Sequence, residues 1–316
     1  MLMKERPRKV FITGGTGLLG HHLIKLAPEI YDVNCTFFSL TKETSLFYDC
    51  AKYYLDVSDR TAVMDTLKVV RPDYVIHTAS IASVDYVEKN REEAKKTNLG
   101  GTLNIIEACR EIGAKLIYTS SNAVFDGENP PYSEDDPVNP LSYYGGLKVK
   151  EEEAIRESGL GHAIVRPILM YGWNLGVERK NPVTWLIDLL KEGKEINMVE
   201  DILCNPLFVE DCADVIWGVI KQAREGVFHV GGEDEISRYD FARVTAEVFG
   251  FDKELIKPVK NSFFPEIAPR PKNTTYCIDK IKKELEIFPL GVREGLEVMS
   301  GVRHIADEEV KTSRKI

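Results

Sequence analysis

The chain has 316 residues, of which 43% are hydrophobic and 29% charged, and its formal net charge is −9. This composition is typical of a globular protein and excludes an intrinsically disordered one. A net-negative surface is repelled by nucleic acid unless one face is strongly basic, so we predict no nucleic-acid partner. At about 100–200 residues per domain, the length allows one large domain and a smaller one.

Membrane, secretion and metal-binding patterns are not apparent in the sequence. No apolar run approaches the roughly 18 residues of a membrane span, and the charged start does not resemble a signal peptide. The six cysteines are scattered without a CxxC pair, which predicts free thiols and no metal site. We therefore expect a cytoplasmic protein that does not contact membranes.

Short β-branched runs alternate with longer amphipathic stretches over the first half of the chain. Strands are predicted at residues 10–13, 35–40, 74–77, 115–119 and 162–166, and helices at 18–26, 60–69, 101–112 and 149–156. The alternation is typical of βαβ units and predicts an α/β fold with a doubly wound parallel sheet of the Rossmann type.

Beyond residue 166 the pattern loosens. Helices are predicted at 183–190, 208–223, 238–249 and 279–285, and a further strand at 226–230. We assign residues 1–170, with 206–231 returning to them, to a dinucleotide-binding domain. Residues 171–205 and 232–316 are assigned to a smaller C-terminal α/β region that binds the substrate.

The first predicted strand runs directly into the sequence TGGTGLLG at residues 13–20. Glycines at 14, 17 and 20 allow a tight turn and a close approach of the backbone to a pyrophosphate at the positive end of the next helix. The position of the motif, with a strand before it and a helix after it, favours a dinucleotide site. The predicted contacts in this turn are Gly14, Thr16, Gly17, Leu18, Leu19 and Gly20.

The end of the second predicted strand bears on the choice between NAD and NADP. An Asp or Glu there usually binds the ribose 2′-hydroxyl of NAD, and neither occurs in residues 37–42. Ser39, Thr41 and Lys42 can instead accommodate the 2′-phosphate of NADP. The sequence thus favours NADP(H) and leaves NAD(H) as the alternative.

Tyr144 and Lys148 are four residues apart, directly before the helical pattern at 149–156, and on a helix this spacing lets the phenol and the ammonium converge on one face. A nearby cation favours the phenolate and brings a tyrosine toward a working acid or base. Tyr143 has Leu147 at the corresponding position and does not fit this role. The acidic residues that follow, Glu151 to Glu153, are predicted to form a solvated face.

Two serines, Ser120 and Ser121, follow the predicted strand at 115–119, at the sheet edge where doubly wound folds bind ligands. A serine there can hydrogen-bond a carbonyl oxygen that gains charge during reduction. The residues by themselves do not decide which of the two serines has this role.

In order and spacing these motifs resemble the extended short-chain dehydrogenase/reductase family. Besides the glycine turn, the serine and Tyr-x-x-x-Lys, the resemblance includes LDV at 55–57, HTAS at 77–80, TNLGGT at 97–102 and RP at 166–167. The sequences VFDG at 124–127 and PRPKN at 269–273 are similar to those of dTDP-4-dehydrorhamnose reductases and their relatives.

The resemblance implies roles for individual residues. Tyr144 would donate the proton, Lys148 would bind the ribose and tune Tyr144, and Ser121 rather than Ser120 would polarise the carbonyl. Further cofactor contacts would come from Asp56, Val57, Thr78, Ala79, Ser80, Asn98, Thr119, Pro167 and Ile168. Weaker candidates for the substrate are Ser83, Asn122 and Arg270.

The implied activity is NADP(H)-dependent reduction of a 4-keto sugar nucleotide, a small-molecule substrate, by a chain that is a possible homodimer. Leu169 replaces an aromatic residue of the family and Asn122 replaces an Asp, so the particular sugar stays open. No Glu follows Ser121, which disfavours dehydration. Two alternatives remain, a nucleotide-sugar 4-epimerase and a non-catalytic NADP-binding regulatory subunit like the β-subunit of methionine adenosyltransferase.

Overall fold

The structure of the protein is a computed structural model that describes residues 7–38, 50–174, 180–264 and 268–301. Its strands are β1 (Arg8–Thr13), β2 (Tyr31–Phe37), β3 (Ala51–Tyr54), β4 (Tyr74–His77), β5 (Lys115–Thr119), β6 (His162–Pro167), β7 (Met170–Tyr171), β8 (Ile196–Val199), β9 (Leu203–Cys204), β10 (Leu207–Phe208), β11 (Gly226–Val230), β12 (Ile236–Ser237) and β13 (Ile256–Val259).

The α-helices are α1 (Leu18–Lys25), α2 (Arg60–Val70), α3 (Val84–Lys89), α4 (Arg91–Ala94), α5 (Gly101–Ile112), α6 (Tyr143–Glu157), α7 (Pro182–Lys191), α8 (Val209–Lys221), α9 (Arg238–Val248), α10 (Asp279–Leu285) and α11 (Val292–Ser300). A π-helical turn (Lys95–Gly100) joins α4 to α5. No helix in the described part of the chain is both long and apolar enough to cross a membrane.

Seven parallel strands form the main sheet in the order β11-β6-β5-β4-β1-β2-β3. Helices cover both faces because the strands are apolar on both sides. In β1, Val10 and Ile12 pack in one core with Leu23 of α1, while Phe11 between them packs in the opposite core with Leu67 of α2. The predicted doubly wound α/β fold is confirmed.

Some predicted elements differ from those observed. The second strand begins at Tyr31, not at residue 35, and β3 has no counterpart among the predicted strands. β3 is a short strand at the edge of the sheet, partly exposed on both faces, so its sequence AKYY carries no alternating pattern.

Within and next to the smaller region, the described residues form three two-stranded sheets, β10-β7, β12-β9 and β13-β8, of which only β12-β9 is antiparallel. Side chains from α7, α9 and α11 form a separate apolar cluster there. Strand β11, which lies between β10 and β12 in the sequence, pairs with β6 at the edge of the main sheet. The division of the chain into two domains stays a prediction.

Candidate active site

The glycine turn between β1 and α1 has a backbone that other residues would strain. Gly14 has a φ of +71°, and the Gly17 N–H donates to the Gly14 carbonyl oxygen at 3.0 Å. A Cβ at Gly20 would lie 2.2 Å from the same oxygen, so α1 packs this closely only because position 20 is glycine. No side chain in the described part of the chain caps the first turn of α1. Its N–H groups and helix dipole therefore suit a phosphate.

The end of β2 holds the turn from one side. The Gly14 N–H donates to Thr36 Oγ1 at 3.1 Å, and the Gly15 N–H donates to the Thr36 carbonyl oxygen at 2.8 Å. Thr36 thus fixes two successive amides of the turn. The residues predicted to bind a 2′-phosphate lie outside the described residues; they are Ser39, Thr41 and Lys42.

The end of β4 holds the turn from the other side. Thr13 Oγ1 accepts hydrogen bonds from the N–H groups of Thr78 at 3.1 Å and Ala79 at 3.2 Å, and it lies 2.7 Å from His77 Nδ1. His77 Nε2 lies 3.2 Å from Thr102 Oγ1. Burial, with a smaller effect of the nearby lysine, lowers the pKa of His77 to about 3. This histidine is a neutral, packed residue.

Two buried hydroxyls near the carboxyl ends of β4 and β5 have no hydrogen-bond partner among the described residues, Ser80 Oγ and Thr119 Oγ1. The Ser80 loop is held by Asn98, whose side chain accepts from the Ile81 N–H at 2.8 Å and donates to the Ile81 carbonyl at 3.0 Å. Leaving a buried hydroxyl unpaired is costly, so these two positions fit the polar groups of a ligand. Together with the glycine turn they fit a dinucleotide lying along this edge.

Several residues assigned to the cofactor bury their side chains in the protein. Leu19 is 5% exposed, Val57 5% and Ile168 3%, and the Ile168 N–H donates to the Val230 carbonyl at 3.1 Å. Their side chains are therefore not available to a ligand. Among the others, Asp56 Oδ1 accepts from the Ser58 N–H at 2.8 Å, Thr16 lies in the glycine turn, Leu18 begins α1 and Pro167 ends β6.

Helix α6 begins earlier than predicted and carries both members of the Tyr-x-x-x-Lys motif. Ser142 Oγ caps it by accepting from the Gly145 N–H at 3.1 Å. Lys148 Nζ lies 5.8 Å from the centre of the Tyr144 ring, and the two residues are 2% and 6% exposed. The structure therefore brings Tyr144 and Lys148 together at the edge of the sheet, below the end of β5.

The ammonium group of Lys148 is held by three oxygens. Nζ donates to Tyr118 Oη at 2.8 Å, to the Thr119 carbonyl at 3.2 Å and to Glu151 Oε2 at 3.2 Å, and Tyr118 also donates to Glu151. Burial lowers the pKa of Lys148 to about 7, although the Glu152 charge opposes this shift. Burial also raises the pKa of Glu151 well above its ordinary value, as does the charge of Glu152. Burial thus disfavours the charged form of both Lys148 and Glu151.

Glu152 forms a second buried cluster beneath the first. Arg166 donates to it twice, from Nε at 2.8 Å and from Nη2 at 2.6 Å, and Ser120 Oγ donates at 2.5 Å. Burial raises the pKa of Glu152, but these hydrogen bonds and the Arg166 charge outweigh it and lower the pKa overall. The predicted solvated face is wrong for Glu151 and Glu152, which are 1% and 0% exposed; Glu153 alone is exposed.

Ser121 and Asn122 occupy the loop that follows β5. Ser121 Oγ accepts from the Ala123 N–H at 3.2 Å, and Asn122 Nδ2 donates to Thr274 Oγ1 at 2.7 Å. The Ser121 side chain is half-buried, whereas the hydroxyl of Ser120 is committed to the buried Glu152. The loop also ties the sheet edge to the segment that contains residues 269–273.

Arg270 is paired with an acidic residue of α3. Arg270 Nη2 lies 2.7 Å from Asp85 Oδ2, and each side chain is 37% exposed. Ser83, the other weak substrate candidate, caps the same helix by accepting from the Tyr86 N–H at 3.4 Å. The two candidates therefore lie on connected elements, and a phosphate at Arg270 would compete with the carboxylate of Asp85.

Sequence reasoning missed the groups that position the motif, namely Tyr118, Glu151, Glu152 and Thr274. Helical spacing carried part of the signal, because residues 144, 148, 151 and 152 follow the i, i+4, i+7, i+8 stripe of a buried helix face. Among the described residues, no group of three or more His, Cys, Asp or Glu side chains is arranged to hold a metal ion.

The parallel sheet, the glycine turn and the buried Tyr-x-x-x-Lys pair define the extended class of short-chain dehydrogenase/reductases. Within this class, the chain belongs to the RmlD substrate binding domain family, whose profile matches residues 8–302. The resemblance found in the motifs is thereby confirmed.

Three proteins illustrate what the chain is similar to. The dTDP-4-dehydrorhamnose reductase from Bacillus anthracis str. Ames, solved in complex with NADP, is 30% identical with a TM-score of 0.81, over 92% of this chain and 98% of that one. The Clostridium acetobutylicum ATCC 824 reductase is 29% identical with a TM-score of 0.81, over 93% and 99%. Methionine adenosyltransferase 2 subunit beta of Rattus norvegicus is 31% identical over 92% of this chain and 87% of its own.

Proposed function

We propose that the protein is an NADP(H)-dependent reductase of a 4-keto sugar nucleotide. The observation that carries this proposal is the buried pair of Tyr144 and Lys148, 5.8 Å apart from ring centre to Nζ, beside the unpaired hydroxyls of Ser80 and Thr119. The 30% identity with an NADP-bound dTDP-4-dehydrorhamnose reductase over 92% of the chain supports the reaction and the cofactor.

The cofactor, when bound, supplies a hydride to the carbonyl carbon of the substrate. The glycine turn and the N-terminus of α1 would bind its pyrophosphate, and Lys148 would bind the ribose hydroxyls in exchange for one of its three protein oxygens. Tyr144 donates a proton to the carbonyl oxygen as negative charge develops there, and the Ser121 hydroxyl donates a hydrogen bond to the same oxygen. The hydrogen bonds of Lys148 to Tyr118 and Thr119 fix the ammonium beneath Tyr144.

The net charge of −9 has to be reconciled with two anionic ligands. The dipole of α1 and the ammonium of Lys148 concentrate positive potential at one sheet edge, while surplus carboxylates lie on exposed helix faces. Arg270 adds a guanidinium on the substrate side, where it can exchange Asp85 for a phosphate in bidentate geometry. A dinucleotide and a sugar nucleotide can therefore share this cleft.

Replacing Tyr144 by Phe tests the proposal directly. Tyr144→Phe should abolish NADPH oxidation across a panel of 4-keto sugar nucleotides and leave NADPH binding intact, because the phenol donates the proton but does not hold the dinucleotide. Tyr143→Phe is the matched control, since Tyr143 lies on the same turn of α6 under Arg91. Equal turnover in the Tyr144 variant and the wild type would refute the assignment. Turnover without added NADPH, by a protein purified with bound cofactor, would instead support an epimerase.

A regulatory role is a second candidate, supported by the 31% identity with methionine adenosyltransferase 2 subunit beta. Such a subunit would bind NADP(H) in the same cleft and act through a partner enzyme. The test is size-exclusion chromatography of the chain with a methionine adenosyltransferase, with and without NADPH. A stable complex combined with no oxidation of NADPH by any keto sugar would favour this role over the reductase.

A further inference from the structure

Two cysteines lie next to each other at the edge of the cofactor site. Cys35 Sγ, near the end of β2, is 3.6 Å from Cys50 Sγ, just before β3. A disulfide needs about 2.05 Å between the sulfurs, so side-chain rotation with a shift of roughly 1.5 Å would join them. β2 and β3 are paired neighbours in the sheet, with Asn34 opposite Ala51, so their backbones are already side by side.

Cys35 also packs directly against the glycine turn. A Cβ built on Gly15 would lie 2.8 Å from Cys35 Cβ and 3.1 Å from its sulfur, so the cysteine fills the space beneath this glycine. The next residue, Thr36, holds the N–H groups of Gly14 and Gly15. A movement of the Cys35 side chain is therefore transmitted to the amides that would bind a pyrophosphate.

The two thiols differ in access and in chemistry. Cys35 is 2% exposed, and its hydrogen bond to Cys50, followed by burial, raises the pKa of its thiol. Cys50 is half-buried, so an oxidant in solution reaches it first. Cys109 and Cys204 are both buried, so an oxidant in solution does not reach those two thiols.

We propose that Cys35 and Cys50 form a reversible redox modification site that weakens cofactor binding when it is oxidised. A peroxide oxidises the Cys50 thiol to a sulfenic acid and is reduced to water or an alcohol. The Cys35 sulfur then attacks the Cys50 sulfur, its proton leaves with the hydroxyl as a second water, and the S–S bond forms. A dithiol reductant reverses the reaction by thiol–disulfide exchange. The effect on the cofactor rests on the proposed function, whereas formation of the disulfide does not.

The experiment uses the full chain, reduced with dithiothreitol and then treated with hydrogen peroxide. Free thiols are alkylated, and peptide mass spectrometry shows whether residues 35 and 50 are linked. NADPH affinity is measured by fluorescence titration of both forms. We expect a Cys35–Cys50 linked peptide and at least about tenfold weaker NADPH binding after oxidation, the order expected when one hydrogen bond to a charged group is lost. Dithiothreitol should restore the affinity.

Two variants separate this site from general oxidation. Cys50→Ser should keep reduced-state NADPH affinity and lose the response to peroxide, while Cys277→Ser, at another half-buried cysteine, should respond like the wild type. Absence of the linked peptide from the oxidised wild type would overturn the modification site. A linked peptide with unchanged NADPH affinity would overturn the coupling to the turn. If neither the reduced nor the oxidised protein binds NADPH, the proposed function and the coupling both fail. Peptide mass spectrometry still shows in that case whether the disulfide forms.

Discussion

Replacement of Glu152 by Gln perturbs the buried cluster that fixes α6 to the sheet. Glu152 is 0% exposed and accepts hydrogen bonds from Arg166, Ser120 and Arg156. Gln keeps the volume but removes the charge, and it turns an amide N–H₂ group toward donors that need an acceptor. Arg166, itself 2% exposed, then keeps a buried charge without its carboxylate.

The expected loss follows from this geometry. Removing one partner of a fully buried ion pair costs about 3–5 kcal/mol, because the other charge stays desolvated. At roughly 2–4 °C per kcal/mol for a protein of this size, the unfolding midpoint should fall by about 10 °C. The folded state lowers the pKa of Glu152, so its stabilisation is present above the ordinary value of 4.5 and disappears as pH falls through the folded-state value. The difference between wild type and variant should therefore shrink in acid.

The assay is denaturant unfolding of the wild type, Glu152→Gln and the control Glu153→Gln at neutral and acidic pH. Glu153 is the exposed neighbour in the sequence, so its substitution should change the free energy of unfolding by less than about 0.5 kcal/mol. A Glu152 variant that matches the Glu153 control at neutral pH would refute the reasoning. It would mean that the ion pair does not stabilise the fold.

Three further predictions concern the site and its turn. Ser121→Ala should lower kcat about 100-fold. Ser120→Ala should instead lower the free energy of unfolding by about 1.5–3 kcal/mol and leave kcat within a few-fold of the wild type. Steady-state kinetics showing the reverse would assign catalysis to Ser120. Burial lowers the pKa of Lys148 from 10.5 to about 7. Between these two pH values the unfolded chain therefore holds a proton on Lys148 that the folded chain lacks. The free energy of unfolding should then rise with pH by up to about 1.4 kcal/mol per unit in this window, and an equal slope in Lys148→Met would contradict the shift. Gly20→Ala, whose Cβ would lie 2.2 Å from a backbone carbonyl, should destabilise the protein by about 1–3 kcal/mol. Gly146→Ala is the control, because a Cβ there meets nothing within 4 Å, and it should be neutral or stabilising. Equal thermal melts for the Gly20 and Gly146 variants would argue against the close packing at Gly20.

Local spacing was enough to predict the chemistry-bearing motifs. The glycines at 14, 17 and 20 and the pair Tyr144 and Lys148 act within one turn or one helix face, so the interval between residues fixes their geometry. The alternation of strands and helices likewise predicted the parallel sheet, because apolar strands joined by amphipathic helices have few other ways to bury their surfaces. The profile match over residues 8–302 agrees with this family assignment.

Short edge elements and burial were not predictable in the same way. β3 and the two-residue strands carry too few residues for a pattern, and the two-residue strands pair with segments that are distant in sequence, as Leu207 does with Met170. The acidic triplet at 151–153 is uniform as a sequence, yet two of its members are buried and one is exposed. Nothing within the triplet distinguishes them, since the difference depends on which residues pack against α6.

The sequence by itself determined the fold class, the glycine turn and the Tyr-x-x-x-Lys pair, because each depends on neighbours along the chain. Only the tertiary structure decided that Ser120 belongs to Glu152, that Arg270 faces Asp85, and that Cys35 meets Cys50 beneath the glycine turn. These contacts join segments from different strands and helices, up to 185 residues apart. The energies of desolvation and charge pairing depend on distances in space, and only the folded chain sets those distances.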